Sequence, residues 1–129
     1  APENTLAAFR LGAAHGYRMF ECDAKLSADG VVFLMHDATL ERTTNGQGVG
    51  GEQSWHALSQ LDAGGWHSRE HAGEPLPSLE TIASFCLVNG HALAGALLLS
   101  AADRGVRLLP ASPVAHSTSL TSTGRSCEP

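Results

Sequence analysis

The chain has 129 residues, 43% of them hydrophobic and 16% charged, which is enough for one globular unit with a core, too little for two, and incompatible with disorder throughout. A net charge of −5 offers no basic face for a phosphate backbone, so no nucleic-acid partner is expected. The longest apolar run, Ala92 to Leu99, falls well short of the roughly 20 residues of a membrane helix and is broken by Gly95, so no membrane span is expected.

The opening Ala1-Pro2-Glu3 has neither an initiator Met nor a signal-like segment, and suggests a piece of a longer chain. Asn4 is a candidate helix N-cap, and Leu6, Phe9 and Ala13 recur at helical spacing until Gly16, which predicts a helix over residues 5–15. Tyr17 to Leu26 and Val31 to Met35 read as two strands joined by Ser27-Ala28-Asp29-Gly30, a hairpin signal. From His36 to Pro77 the chain is loop-rich, with one apolar island at Trp55 to Leu61. A second helix is expected at Leu79 to Val88, capped by Ser78 and stopped by Gly90, with Leu79, Ile82, Ala83 and Cys86 on one face. Composition shifts near Asn89-Gly90: residues 81–102 hold no Asp or Glu, and from Ser100 onward Ser, Thr, Pro and Ala dominate. The stretch from Ser100 onward therefore reads as mostly unstructured, and residues 91–129 as a Ser/Thr/Pro-biased tail separate from a unit of residues 1–90. Cys22, Cys86 and Cys127 fit neither a disulfide framework nor a CxxC metal site, which favours a reducing compartment and a cytoplasmic location.

Strand alternation puts Glu21 and Asp23 on one face and Cys22 on the other, where it reads as a small buried hydrophobe. If Asp29-Gly30 is a two-residue loop, Asp23 stands directly opposite His36 with Cβ atoms about 5 Å apart. A four-residue loop would set Glu21 opposite His36 instead, and a three-residue loop would send the histidine to the other face. Polar residues at period two usually form a solvated face. Here the neighbouring run Val31 to Met35 is apolar without alternation, as in a strand covered on both sides. Two carboxylates on a shielded face can hold a hard divalent cation, and a nearby histidine adds a proton donor or acceptor near neutral pH. His56, His67 and His71 lack ligand spacing with these carboxylates and read as loop histidines. Trp55 and Trp66 read as packing residues.

The order and spacing of several segments resemble the glycerophosphodiester phosphodiesterase family over about residues 2–89. They are Pro2-Glu3-Asn4-Thr5, Glu21-x-Asp23, Ser27-Ala28-Asp29-Gly30, His36-Asp37-x-x-Leu40-x-Arg42-Thr43-Thr44-Asn45-Gly46, Leu61-Asp62-Ala63-Gly64-x-Trp66 and Leu76-Pro77-Ser78-Leu79-Glu80. The resemblance implies an α/β fold, a TIM-type (β/α) barrel of the phospholipase C-like phosphodiesterase superfamily, here partial and truncated at both ends. It further implies metal-dependent hydrolysis of a small glycerophosphodiester to glycerol 3-phosphate and an alcohol, within glycerophospholipid metabolism and through a cyclic phosphate. The cofactor would be Mg²⁺ or Ca²⁺, with Glu21 and Asp23 as metal ligands and His36 as one of two acid–base histidines. Asp37 would orient its neighbours and Glu3 would brace the loop before the first helix.

The chain also departs from the family's pattern. A His-Arg-Gly motif expected before Pro2 would precede Ala1, and the third metal-ligating carboxylate expected on a strand after the second helix would fall near Ala96. The chain itself is therefore expected to be an inactive incomplete form, its tail the product of a shifted reading frame. A non-catalytic remnant and a related phospholipase of the same superfamily are the alternatives.

Overall fold

The computed structural model describes the backbone of residues 1–97 and the side chains of residues 1–95; the expected tail beyond residue 97 lies outside the described residues. Helix α1 (Leu6–Ala14) leads into strand β1 (Met19–Leu26), which turns back as the short strand β2 (Val32–Leu34). A long connection with single helical turns at Gly50–Glu52 and Arg69–His71 and a short helix α2 (Trp55–Leu58) follows. Helix α3 (Leu79–Asn89) and strand β3 (Ala92–Leu97) complete the described chain. The sheet has the order β2-β1-β3, with β2 antiparallel and β3 parallel to β1. The fold is thus α/β, as expected.

Both predicted helices are present, with their stops where the glycines stand. Thr5, not Asn4, caps α1: its hydroxyl accepts the Ala8 N–H at 3.3 Å and donates to the Pro2 carbonyl at 2.7 Å. Asn4 is instead held in the left-handed region at φ 54°, a conformation its short amide side chain tolerates better than most. Ser78 caps α3 through the Thr81 N–H, and Gly90 closes it at φ 66°. The inner face of α3 is Leu79, Ile82, Phe85 and Cys86; Ala83, expected there, is exposed.

Strand β2 has no solvent face, which is why its sequence does not alternate. Phe33 and Met35 enter one cluster with Leu40, Leu58, Ala63 and Leu76, against which Trp55 and Leu61 pack. Leu34 enters a second cluster with Phe9, Cys22, Ile82 and Cys86. The long connection thereby covers one side of the hairpin while α1 and α3 cover the other.

The hairpin register is not the two-residue one. Ala24 pairs with Leu34, Lys25 with Phe33 and Leu26 with Val32, leaving the five residues 27–31 as the loop. Ser27 organises that loop: its N–H donates to the Val31 carbonyl at 2.9 Å, and its hydroxyl donates to Asp29 at 2.7 Å while accepting the Val31 N–H. Gly30 supplies the positive φ of 86°. Asp29 also accepts the Trp55 N–H at 2.8 Å, so the turn is fastened to the start of α2. The odd loop length sets Asp23 beside Met35, whose N–H donates to the Asp23 carbonyl at 2.9 Å.

Candidate active site

Strict alternation in this register would turn His36 away from the carboxylates. It does not, because β2 ends at Leu34 and the chain bends after Met35. His36 then lines an open cavity of about 310 Å³ together with Glu3, Asn4, Glu21, Asp23 and Arg42. Glu21 and Asp23 reach it from the same face of β1, His36 and Arg42 from the loop after β2, and Glu3 and Asn4 from the segment before α1. Cys22 lies on the opposite face, fully buried, and its thiol is pushed up to about 11 by burial and then by the flanking carboxylate charges. It is the inert hydrophobe its position in the strand suggests.

Two cavity residues went unassigned in the sequence. Asn4 forms a reciprocal clamp on Asp23, its Nδ2 donating to Asp23 Oδ2 and its Oδ1 accepting the Asp23 N–H, both at 3.1 Å. This clamp accounts for the left-handed backbone at Asn4, and the Pro2-Glu3-Asn4-Thr5 string was the available signal. Arg42 occupies the centre of a second network. Its Nε and Nη2 donate to Asp37 at 2.7 and 2.8 Å, and its Nη2 and Nη1 donate to Glu3 at 2.6 and 3.3 Å. Asp37 Oδ1 in turn lies 2.9 Å from His36 Nδ1. Glu3 thus braces the segment before α1 by an ion pair across 39 residues of sequence.

These contacts shape the charge of the site. The Arg42 fork, with His36 beside it, holds the Asp37 carboxyl far below the usual carboxylate range. The bond to Asp37, followed by the charge of Asp23, raises His36 above its ordinary value. Three carboxylates, Glu3, Glu21 and Asp23, line the cavity against the single guanidinium of Arg42. A cavity of that sign attracts cations and repels a bare phosphate.

The donor chemistry of Glu21 and Asp23 fits a hard cation that takes carboxylate oxygens. The fit is partial: among the described residues no group of three or more metal-ligating side chains converges. The parallel register supplies the reason, since Asp23 pairs with Ala96, the position expected to carry a further carboxylate and occupied by a residue without one. His56 and His67 are exposed, and neither they nor His71 line the cavity. Trp55 packs near Phe33, with ring centroids 6.5 Å apart, whereas Trp66 is 41% exposed. Among the described residues no helix is long and apolar enough to cross a membrane.

Known proteins share this arrangement of elements. A glycerophosphodiester phosphodiesterase from Agrobacterium tumefaciens superposes with a TM-score of 0.69 at 39% identity, covering 77% of this chain and 42% of that one. A phosphodiesterase from Oleispira antarctica, solved with the product sn-glycerol-3-phosphate, gives 0.75 at 37% identity, covering 78% and 40%. Bacillus subtilis YhdW, named as a glycerophosphodiester phosphodiesterase, is 40% identical over 82 residues, covering 64% of this chain and 34% of its own. The chain therefore spans about a third of the length of that curated relative. Residues 1–98 match the Glycerophosphoryl diester phosphodiesterase family, a match that runs past the last recognised motif and through β3. The chain belongs to that family.

Proposed function

We propose that this chain supplies part of the active site of a metal-dependent glycerophosphodiester phosphodiesterase, within a TIM-type barrel that the described elements begin. The observation that carries the reading is the meeting of Glu21, Asp23 and His36 in one cavity rich in carboxylates. Glu21 and Asp23 would hold the cation, whose charge would offset that of the phosphate oxygens and whose preference for oxygen ligands suits Mg²⁺ and Ca²⁺ alike. Asp37 stays ionised between Arg42 and His36, so His36 Nδ1 donates to it and Nε2 is left to take or give a proton. The substrate would be a small glycerophosphodiester. A glycerol hydroxyl attacking its own phosphate gains the advantage of an intramolecular reaction and accounts for a glycerol-type substrate. The sn-glycerol-3-phosphate bound to the Oleispira relative supports this choice. The free, buried thiols of Cys22 and Cys86 agree with a reducing, cytoplasmic setting.

The 129-residue chain alone is expected to be inactive, because the residue paired with Asp23 is Ala96 and the described residues bring a single histidine to the cavity. The test is release of glycerol 3-phosphate from glycerophosphocholine in Mg²⁺ or Ca²⁺, by a chain carrying this segment within a complete domain. His36→Ala should lower kcat about 100-fold or more. Full activity in that variant would remove His36 from the mechanism. The same Asp23–Ala96 pairing favours a second reading, a non-catalytic relative, which the absence of saturable heat on titrating either cation into the complete domain would select.

A further inference from the structure

We propose that Arg42 is a positioning residue: its guanidinium, bridging Glu3 and Asp37, holds the Asp37 carboxylate against His36 Nδ1 and so fixes the ring in the tautomer that leaves Nε2 without a proton. The inference rests on the reading of His36 as the proton-transfer group and adds to it the positional restraint that Arg42 places on Asp37.

The geometry leaves little of Arg42 for the other obvious task of a cationic residue in the cavity of a phosphodiesterase, binding the phosphate. Four hydrogen bonds run from Arg42 to the two carboxylates, and both oxygens of Asp37 and both of Glu3 are engaged. A guanidinium has five N–H donors in a fixed fork, so little of this one remains for a phosphate. Its charge is moreover outweighed by the carboxylates that flank it. What the fork does instead is restrain Asp37. An aspartate side chain beside a histidine in an exposed loop would sample several rotamers, and the bidentate bond through Nε and Nη2 selects the one in which Oδ1 faces Nδ1.

The tautomer follows from this restraint. Asp37, ionised, can only accept, so the proton of neutral imidazole must sit on Nδ1. Nε2 has no hydrogen-bond partner among the described residues and carries the lone pair. Glu3 closes the bridge from the other side of the cavity and ties the segment before α1 to the loop after β2, although no strand pairing joins them.

The test reads the tautomer directly, by long-range ¹H–¹⁵N correlation of the His36 ring in the ¹⁵N-labelled 129-residue chain, at a pH above the titration of that ring. The unaltered chain should show His36 mainly protonated at Nδ1. Arg42→Gln should lower the ratio of Nδ1–H to Nε2–H by about threefold or more, the lower end for a charge-assisted bond screened by solvent. Glu3→Gln should move it in the same direction by less. An unchanged ratio in folded Arg42→Gln overturns the proposal. Should that variant fail to fold, an unchanged ratio in Glu3→Gln overturns it equally. Because the readout needs no turnover, it is separate from the fate of the proton-transfer reading. An active His36→Ala enzyme would end that reading and leave the tautomer result standing.

Discussion

At the scale of single residues, two carboxylates of the site are held by partners that the local sequence does not name. Asp23 is oriented by Asn4 from 19 positions away and Asp37 by Arg42 from five. One consequence is a pH dependence centred on His36. Its protonated form is favoured first by the bond to Asp37 and then by the charge of Asp23, so the folded ring titrates above its ordinary value of 6.5. A group raised in this way contributes stability below the unfolded pKa and loses the contribution as pH rises through the folded one. The NMR midpoint of His36 should accordingly lie above 6.5 and fall toward it in Asp37→Asn. A midpoint at or below 6.5 in the unaltered chain would contradict the contact between these two side chains. Glu21 and Asp23 were legible as candidates because strand alternation and motif order both point to them, and His36 through motif order, since alternation in the observed register would turn it away. Asn4 and Arg42 were not, since an Asn before a helix suggests a cap and an Arg in a polar loop suggests solvent.

At the scale of elements, the sequence signals identified the pieces more reliably than their contacts. Ser27-Ala28-Asp29-Gly30 announced a turn, and a turn is there. Its loop length was decided by the side-chain bonds of Ser27 and Asp29 and by the anchoring of Asp29 to the Trp55 N–H. The long connection shows the same dependence on tight local contacts. Asn45 exchanges hydrogen bonds with Asp62, through its N–H to the Asp62 carbonyl and its Oδ1 from the Asp62 N–H. Asp62 Oδ1 then accepts the N–H groups of Gly64 and Gly65. Gly64 is buried against the backbone of His71, and a Cβ there would overlap the His71 carbonyl oxygen. Gly64→Ala should therefore destabilise the fold by about 1–3 kcal/mol, seen as a lower urea midpoint with an unchanged slope. A midpoint equal to that of the unaltered chain would mean that the loop yields without cost.

At the scale of the whole molecule, the described residues form a three-stranded sheet of order β2-β1-β3 with apolar surface left open beside it. Beyond its pairing with β1, β3 has no strand partner among the described residues. Leu87 and Val88 on α3 are 83% and 84% exposed, and Met19 at the start of β1 is 70% exposed. Unpaired edges and apolar surface of this kind are templates for association. The 129-residue chain in isolation should therefore self-associate with rising concentration in light scattering coupled to size exclusion. A stable monomer at every concentration would count against the barrel reading. What the sequence by itself determined is local: helix ends at Gly16 and Gly90, the capping by Ser78, the doubly covered run Val31 to Met35, and the carboxylate pair on one face of β1. These follow from periodicity, capping and backbone permissiveness, which act over a few residues. Only the tertiary structure decided the hairpin register, the bend that returns His36 to the cavity, the Asn4 clamp, the Arg42 bridge and the pairing of Asp23 with Ala96. The clamp, the bridge to Glu3 and the strand pairing depend on groups distant in sequence meeting in space, and the pattern of either partner alone does not encode that meeting.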